Sequence, residues 1–436
     1  MGGLLSSCTP PLAPLPEILV PPGQAPDDGA LPFDLDVMGI LLDDVLFPLS
    51  VQSGDATATS VTIWGHSADT NVPVFLRVWR EDKDGSAFDV VHEEIQPDDA
   101  GNLKTTLSTL SAGVKYKYAF VTSDDDKRSI VGQFRMPYED TQLWPHKIAA
   151  ATCTNFRNQP YRVLEKTPEV SGFDLFVHLG DMSNNDGAVS LADYRQMWQQ
   201  TLADPGYKAT LAESSMIIAW DDHEITNNLD PETVAPELMS NAINSFFEHL
   251  PIVPGENNRL WRSHQWGDTA EFITLDCRTE RKPSTRDDDD IYLSREQLDF
   301  SKTRLKESTA VLKVVLNSVP ITLMPGPLWG LEGDRWQGYE QQREEILNFI
   351  VDENIENVVF LSGDFHVGFV AKVEKEGARS NIYEVAVEPT ANANNPLGIL
   401  VELDPGEYRH QVFPDDQFLY GCGKKRGDIH HLQPIF

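Results

Sequence analysis

The sequence predicts an N-terminal all-β sandwich of the fibronectin or immunoglobulin type, followed by a larger α/β domain. The length of 436 residues indicates more than one domain, because a single domain usually spans ~100–200 residues. Short alternating strands separated by turn residues fill residues 46–137, and this pattern is typical of a β-sandwich. Strands that alternate with helices fill residues 146–436, which is typical of an α/β domain.

Residues 1–45 are predicted to form a tether. Leu5-Ser6-Ser7-Cys8 matches a lipoprotein cleavage site, although a charged n-region and a long apolar h-region do not precede it. Residues 9–30 are rich in Pro, Gly and Asp, as in a tether that leads from an anchor. Two interpretations stay open, a truncated lipoprotein signal or an unstructured N-terminus with an incidental cysteine. The first predicts an exported protein, periplasmic, lipid-anchored or extracellular, whose only membrane contact is a lipid anchor at Cys8.

The β domain, residues 46–137, consists of short strands with one apolar face each. Glu81–Gly85 and Asp124–Lys127 are its most polar stretches and are predicted to be hairpin tips. Side chains suited to catalysis do not gather in this domain, so we expect it to have a structural or substrate-shaping role. The predicted strands are Val61–Trp64, Val74–Trp79, Tyr116–Phe120 and Gly132–Phe134.

The α/β domain follows a linker, Pro137–His146, that contains two prolines. Two capping pairs predict helix starts, Ser190 with Asp193 and Ser294 with Gln297. Apolar residues at helical spacing predict a further helix over Glu340–Glu353. The simplest arrangement of these elements is an α/β sandwich. Its predicted strands are Lys147–Thr152, Asp174–Leu179, Ser215–Trp220, Glu271–Leu275, Leu312–Leu316 and Val358–Ser362.

Composition argues against two classes of protein. The formal net charge is −33, so the surface repels a phosphate backbone and we do not expect the protein to coat nucleic acid. No apolar run approaches the ~20 residues that span a bilayer, which excludes an integral membrane protein. The charge by itself does not identify a substrate.

The unusual polar residues of the α/β domain lie where its apolar strands end. Ligands of α/β proteins bind beyond the carboxyl ends of strands, so these residues are expected to converge on one site. Several carboxylates within a few ångströms cannot all stay ionised without cations, and the site therefore requires metal. The residues at the strand ends are Cys153, Gly180-Asp181, Asp221-Asp222-His223-Glu224 and Gly363-Asp364-Phe365-His366.

In this order the motifs resemble those of the calcineurin-like metallophosphoesterases, and within them the PhoD-like alkaline phosphatase and phosphodiesterase family. Trp220–Glu224, followed by Asn227-Asn228, is the most specific of them. The resemblance covers nearly the whole chain after Phe47. The other stretches that carry it are Ser53-Gly54-Asp55, Val61–Trp64, Leu275-Asp276-Cys277-Arg278 with Arg281, and Asp334–Tyr339.

The resemblance implies an α/β metallophosphoesterase domain, in which a two-layer β-sandwich is flanked by helices, and a site that holds iron with calcium. It implies that Cys153 binds the first metal, that His366 approaches it, and that Asp181 bridges two metals. Asp222 and Asp364 would bind the second metal. The implied reaction is hydrolysis of phosphate monoesters or diesters by a metal-activated hydroxide.

His223 corresponds to the acid that protonates the leaving group, and an arginine can bind the phosphoryl oxygens with its planar fork. Arg157, Arg278 and Arg281 are candidates for that role, and the alternative for each is an ordinary surface or ion-pairing arginine. Arg157 is predicted to be catalytic, while Asn228 and Arg278 are predicted to bind substrate.

Asn184 departs from the family pattern, Gly-Asp-Tyr-x-Tyr, whose second tyrosine binds ferric iron. Asn184 is predicted to be a metal ligand in its place, but a neutral amide suits hard divalent cations better than ferric iron, so the first metal is left open. Two or more metal ions are expected. An alternative is that Tyr194 or Tyr339 reaches the metal instead.

Two further alternatives stay open. A calcium-dependent cell-surface scaffold or adhesion protein would explain the acidity without catalysis, although thiol and imidazole are poor calcium ligands. Cys277 and Cys422 would suit a disulfide in an exported protein, but the position of Cys277 at a strand end favours a free thiol over this pairing.

Overall fold

The computed structural model describes residues 31–393 apart from 34, 83–85, 170–171, 287, 324–332 and 375. Its strands are β1 (Leu31–Pro32), β2 (Leu41–Leu42), β3 (Gln52–Gly54), β4 (Val61–His66), β5 (Val74–Glu81), β6 (Ala87–Ile95), β7 (Asn102–Leu107), β8 (Lys115–Thr122), β9 (Lys127–Arg128), β10 (Gly132–Arg135), β11 (Ile148–Ala151), β12 (Leu175–Leu179), β13 (Ser215–Ala219), β14 (Arg262–Trp266), β15 (Ala270–Thr274), β16 (Leu312–Leu316), β17 (Val358–Ser362), β18 (Phe369–Lys372) and β19 (Tyr383–Ala386). Its α-helices are α1 (Arg162–Glu165), α2 (Leu191–Leu202), α3 (Pro205–Leu211), α4 (Pro236–His249), α5 (Arg295–Glu307) and α6 (Glu340–Asp352). Short 3-10 turns lie at Val37–Gly39, Phe156–Asn158, Thr167–Glu169, Glu256–Asn258, Pro283–Thr285, Trp336–Gly338 and Ala378–Asn381.

The N-terminal part is an all-β unit with strands in two sheets. One sheet has the order β1-β6-β5-β8-β9-β2, with β10 also paired to β8, and the strands β3, β4 and β7 lie in a second sheet. The strands predicted around residues 61, 74, 116 and 132 are present as β4, β5, β8 and β10. The turn expected over Asp124–Lys127 connects β8 to β9, whereas the tip expected over Glu81–Gly85 lies partly outside the described residues. The fibronectin or immunoglobulin topology stays a prediction.

The second sheet of the β unit continues directly into the α/β part. Its order is β11-β12-β13-β3-β4-β7, and β13 pairs in parallel with β3, Ser215 opposite Ser53. Gly54 permits close packing at this pairing, because a Cβ at that position would lie 3.1 Å from the carbonyl oxygen of Met216 in β13 and 2.7 Å from that of Pro251. The two parts of the chain are therefore joined by backbone hydrogen bonds within one sheet and not only by a linker.

Within the predicted tether over residues 1–45, the described residues from 31 onward include regular secondary structure, and the tether itself stays a prediction. These residues include β1, a 3-10 turn and β2. The strands β1 and β2 lie at opposite edges of the first sheet. Val37 and Ile40 are buried and pack with Trp79 and Val121. These apolar side chains cover one face of the sheet, which would otherwise be open to water. Cys8 and the rest of residues 1–30 lie outside the described residues.

The α/β part is a sandwich of two sheets with helices on both outer faces. The third sheet of the protein has the order β14-β15-β16-β17-β19-β18 and packs against β12 and β13. Successive side chains of a strand point to opposite faces. In β12, Val177 accordingly belongs to the core between the sheets with Phe272, while Phe176 packs with Trp198 of α2 and Phe246 of α4.

The opposite outer face of the sandwich is covered in the same way. Ile273 of β15 and Phe360 of β17 pack with Leu298 of α5 and Ile346 of α6. Strands buried on both faces need continuous apolar sequence, which is why the predicted runs were recognisable. Ser190 and Asp193 form the complete capping box expected at α2, and Ser294 accepts the Gln297 N–H at the start of α5.

Candidate metal centre

Four strands, β11, β12, β13 and β17, end at one place, although they belong to two different sheets. Glycine allows the sheets to approach at this point: a Cβ on Gly363 would collide with the side chain of Thr152. Cys153, Asp181 and Asp364 all have left-handed backbone conformations, with φ of 50°, 56° and 55°. Such conformations cost non-glycine residues about 1–3 kcal/mol and concentrate at functional sites.

The first group of ligand atoms comes from Cys153, Asp181 and His366, which lie within 4.8 Å of one another. His366 Nδ1 contacts the Ala393 carbonyl oxygen at 2.7 Å, which leaves Nε2 available as the ligand atom. Burial raises the pKa of the Cys153 thiol well above its usual value and lowers that of His366. A set of sulfur, nitrogen and oxygen donors fits a transition metal, and a bound cation would hold the buried thiol as thiolate.

The second and third groups consist mainly of carboxylates. Asp181, Asp222 and His223 form one, and Asp221, Asp222 and Asp364 form the other, again within 4.8 Å. Burial raises the pKa of Asp181 and Asp222, and that of Asp364 to about 8. Buried carboxylates in such numbers fit a second, hard cation, because oxygen ligands are those that calcium, magnesium and manganese prefer.

Arg278 is completely buried beside this cluster. It donates to both carboxylate oxygens of Asp221, at 2.5 and 2.8 Å, to Asp334 at 2.9 Å and to Asp364 at 2.8 Å. All three of its guanidinium nitrogens are therefore engaged with carboxylates. This arrangement favours a fixed cation that neutralises the acidic cluster over the predicted substrate-binding role, for which the guanidinium would have to face open space.

His223 belongs to the loop that follows β13 and contacts residues of the loop that follows β12. Its Nδ1 is 2.9 Å from Asp186 Oδ2, and the Asn184 amide nitrogen is 3.1 Å from the same Nδ1 atom. Burial lowers the pKa of His223, but the hydrogen bond with Asp186 and the charges of Asp181 and Asp222 outweigh burial and raise it to about 10. Asn184, predicted as a metal ligand, thus contacts the imidazole, and its role as a ligand stays a prediction.

The Glu224 carboxylate connects the loop after β12 with the loop after β13. Sequence reasoning did not find this role. Its buried carboxylate accepts the backbone N–H groups of Asp181 at 3.0 Å, Met182 at 2.5 Å and Asp221 at 2.8 Å. Burial raises the pKa of Glu224 to about 7, although these hydrogen bonds lower it. The position directly after His223 was visible in the motif, but only the fold brings the N–H groups of Asp181 and Met182, in the loop after β12, to this carboxylate.

Of the three remaining predicted residues, two are exposed and one is buried. Arg157 is exposed in the 3-10 turn Phe156–Asn158, with its guanidinium 5.8 Å from the ring centre of Phe156. Asn228 is exposed, has a φ of 53°, and donates its backbone N–H to the Asp222 carboxylate. Arg281 is buried and donates to the backbone carbonyl oxygens of Leu229 and Asp334, which is a structural role.

The two tyrosines considered as alternative ligands are both buried. Tyr194 donates its hydroxyl to the Ile225 carbonyl oxygen at 2.7 Å, and the Tyr339 ring packs on Tyr292. Cys277 is a buried free thiol that donates to Asn317 Oδ1 at 3.0 Å, while Cys422 lies outside the described residues.

Two helix-flanked sheets that meet at carboxylates, a thiol and imidazoles form a metallophosphoesterase-like fold. The fold is similar to that of a purple acid phosphatase from yellow lupin (Lupinus luteus), with a TM-score of 0.56 at 15% identity over 80% of this chain and 67% of the other.

The family follows from the sequence comparison. Residues 148–399 match the model of the PhoD-like phosphatases, and residues 41–137 match that of the PhoD-like phosphatase N-terminal domain. The chain therefore belongs to the PhoD-like phosphatase family. It is 27% identical to alkaline phosphatase D of Bacillus subtilis (strain 168), over 77% of this chain and 67% of that protein. A solved structure of PhoD is similar at a TM-score of 0.71 and 25% identity, over 80% of this chain and 78% of the other.

The protein is accordingly an alkaline phosphatase-like hydrolase that cleaves phosphate esters with the help of metal ions, as the sequence predicts. The family does not support the alternative of a scaffold without catalysis. In the part of the chain that the structure describes, no helix has the length and apolar character needed to cross a bilayer.

Proposed function

We propose that the acidic cluster is a dinuclear centre for the hydrolysis of phosphate monoesters and diesters. Cys153, Asp181 and His366 would hold the first metal, and Asp222 and Asp364, together with the shared Asp181, would hold the second. The observation that carries this proposal is the position of Asp181, which belongs to two adjacent ligand groups at once. A carboxylate shared in this way is what two neighbouring cations require.

The donor atoms limit the choice of metals. The thiol, imidazole and carboxylate of the first group suit iron, manganese or zinc. The second group, built from carboxylates, suits calcium or another hard divalent cation. Iron with calcium, the pair that the family resemblance implies, is consistent with both sets.

When bound, the two cations supply Lewis-acid activation of the attacking water and of the phosphoryl group. Asp181 would position both cations relative to each other, because its carboxylate belongs to two of the possible ligand groups. His223 donates a proton from Nε2 to the leaving oxygen as the phosphorus–oxygen bond breaks. The exposed side chains of Asn228 and Arg157 are assigned the contact with the phosphoryl oxygens of the substrate.

The test is metal analysis of the isolated protein together with hydrolysis of p-nitrophenyl phosphate and bis-p-nitrophenyl phosphate. We expect two or more metal ions per chain, turnover that a chelator abolishes, and recovery on addition of the metals found. Turnover of only one ester would narrow the proposal to monoesters or diesters. Hydrolysis of both esters at full rate after complete metal removal would contradict it.

We also propose that the protein is exported, with a β-sandwich domain over 46–137 and a catalytic domain over 146–436. Support comes from the tether composition of residues 9–30 and from the match at Cys8 to a lipoprotein cleavage site. Expression with a complete lipoprotein signal should give membrane-bound activity. Cys8→Ser should release this activity into the soluble fraction, and retention of the variant in the membrane would contradict the anchor.

A further inference from the structure

Three buried polar side chains form a hydrogen-bonded network that reaches the loop carrying Asp181. They are His178 in β12, Tyr207 in α3 and Thr154 in the loop after β11, and each is at most 1% exposed. His178 Nε2 lies 3.0 Å from the Tyr207 hydroxyl oxygen, which lies 3.1 Å from Thr154 Oγ1. The Thr154 hydroxyl donates to the Met182 carbonyl oxygen at 2.7 Å. None of these side chains has a role in the proposed hydrolysis.

The partners of His178 indicate the direction of the hydrogen bonds in this network. His178 Nδ1 has no hydrogen-bond partner among the described residues. A buried N–H without an acceptor is rare and costly, so we assign the proton to Nε2, which then donates to the Tyr207 oxygen. The Tyr207 hydroxyl can thus donate to Thr154 Oγ1. Burial lowers the pKa of His178 to about 3, so its imidazole is neutral near neutral pH.

The backbone polar groups of Asp181 and Met182 are all hydrogen-bonded. The Glu224 carboxylate accepts both of their N–H groups. The Thr154 hydroxyl donates to the Met182 carbonyl oxygen, and the Thr154 N–H donates to the Asp181 carbonyl oxygen at 2.9 Å. Asp181 has a φ of 56°, a conformation that persists in non-glycine residues only where the surroundings impose it. Thr154 therefore supplies half of the contacts that fix this backbone.

We propose that Tyr207 is a positioning residue of the metal centre, an inference that rests on the proposed role of Asp181 as the shared ligand. The Tyr207 hydroxyl orients the Thr154 hydroxyl, and Thr154 holds the backbone that carries the Asp181 carboxylate. A ligand that is fixed in advance loses less conformational freedom when cations bind, so they bind more tightly. The role is orientation alone, without proton transfer.

The test is equilibrium dialysis of the full-length protein against buffered free Mn²⁺, a cation that suits both ligand groups. Tyr207→Phe removes one hydroxyl and keeps the ring, which packs edge-on against Tyr161 with 5.4 Å between ring centres. Residues that hold metal ligands in place contribute about 10–100-fold to metal affinity. We therefore expect Tyr207→Phe to raise the Mn²⁺ dissociation constant by about 10-fold or more. Thr154→Val should raise it at least as much, and Thr154→Ser, which keeps a hydroxyl, should recover part of the affinity.

The combined variant shows whether the two hydroxyls act in sequence. Once Thr154 is valine, Tyr207 has lost the side chain through which it acts. Tyr207→Phe should then add little to the loss of Mn²⁺ affinity. Losses that multiply in the combined variant would show independent effects and would contradict the inference.

Tyr116→Phe is the matched control for loss of one buried tyrosine hydroxyl. Tyr116 lies in β8 of the β unit, is 1% exposed, and accepts the Ser111 N–H at 3.0 Å. We expect a lower melting temperature for this variant, as for Tyr207→Phe, but a wild-type Mn²⁺ dissociation constant. Equal losses of affinity in the two variants would show that lowered stability alone weakens the site, and would overturn the inference.

Failure of this inference can be told apart from failure of the proposed centre. Two bound Mn²⁺ ions per chain in the wild-type protein, with unchanged dissociation constants in Tyr207→Phe, would overturn the positioning role alone. Fewer than two bound Mn²⁺ ions in the wild-type protein would contradict the dinuclear centre itself. If Tyr207→Phe does not fold, His178→Leu removes the hydrogen bond that orients the Tyr207 hydroxyl, and wild-type Mn²⁺ affinity in that variant would overturn the inference.

Discussion

At the scale of single residues, the centre depends on side chains held in backbone conformations that they disfavour. Cys153, Asp181, Asp364 and His366 all have positive φ, and none is a glycine. The surrounding contacts therefore have to maintain these conformations, as the Glu224 carboxylate does for the Asp181 loop. Substitutions here are expected to affect metal binding before they affect the fold.

We predict that Asp181→Asn lowers kcat by about 10³-fold or more, because loss of the proposed shared carboxylate would weaken both cation sites, and a loss of about 4 kcal/mol of transition-state stabilisation lowers the rate about 10³-fold. Metal content should fall by at least one ion per chain. The far-ultraviolet circular dichroism spectrum and the melting temperature of the metal-free protein should stay close to wild type. Near-normal kcat with full metal content would contradict the bridging role.

We predict that the wild-type protein lacks the purple charge-transfer band of a tyrosinate bound to ferric iron, because Asn184 provides only a neutral amide. Asn184→Tyr should raise the affinity for ferric iron and produce this band, measured by visible spectroscopy during iron titration. Asn184→Gln, which keeps an amide, is the matched control and should stay without the band. An intense tyrosinate band in the wild-type protein, with one tightly bound iron, would contradict the prediction.

At the scale of elements, the Asp55 carboxylate, whose side chain is 14% exposed, is one of the contacts that connect the β unit with the α/β part in addition to the paired strands. Asp55, directly after β3, accepts hydrogen bonds from Arg262 at 2.7 Å, from His264 at 3.1 Å and from the Val253 N–H at 2.7 Å. Arg262 and His264 belong to β14, in the other sheet. Burial raises the pKa of Asp55, but His264 and the charge of Arg262 lower it to about 2.

We predict that Asp55→Asn lowers the free energy of unfolding at neutral pH by about 2 kcal/mol, since one pKa unit corresponds to about 1.4 kcal/mol. The native pKa lies below the unfolded value, so the stabilisation is present above the unfolded pKa of about 4 and is lost as pH falls toward the native value. Urea unfolding at neutral and acidic pH measures it. A difference between wild type and variant that does not shrink with acidification would contradict this reasoning.

At the scale of the whole molecule, the β unit and the α/β part share one sheet, so we expect them to fold together. Strand β13 has β12 on one side and β3 on the other, so removal of the β unit would expose an edge in the middle of the sheet. Exposed edges of this kind promote aggregation. A catalytic domain that begins at residue 146 is therefore expected to be unstable by itself, although the sequence marks a linker there.

We predict that deletion of residues 1–30 leaves stability and activity unchanged, whereas deletion of residues 1–45 lowers the free energy of unfolding by several kcal/mol. The longer deletion removes Val37 and Ile40, and burial of one such side chain contributes about 1.5–3 kcal/mol. Thermal melting of both truncations, with activity measured in parallel, checks this. Equal melting temperatures would mean that residues 31–45 act only as a tether, as the sequence alone suggested.

The sequence by itself determined the order of an all-β part followed by an α/β part, and the residues at the strand ends, because both follow from local pattern. Apolar runs that end in Gly-Asp or Asp-His mark buried strands, and the ends of adjacent parallel strands lie together. Cys153, Asp181, Asp222 and Asp364 were found in this way. Only the tertiary structure decided what depends on contacts between distant segments: the burial of Arg278 among carboxylates, the pairing of β3 with β13, the folding of residues 31–45, and the contact of Asp186 with His223. The periodicity of one segment carries no information about which distant segment covers it, so these contacts had no signal in the sequence.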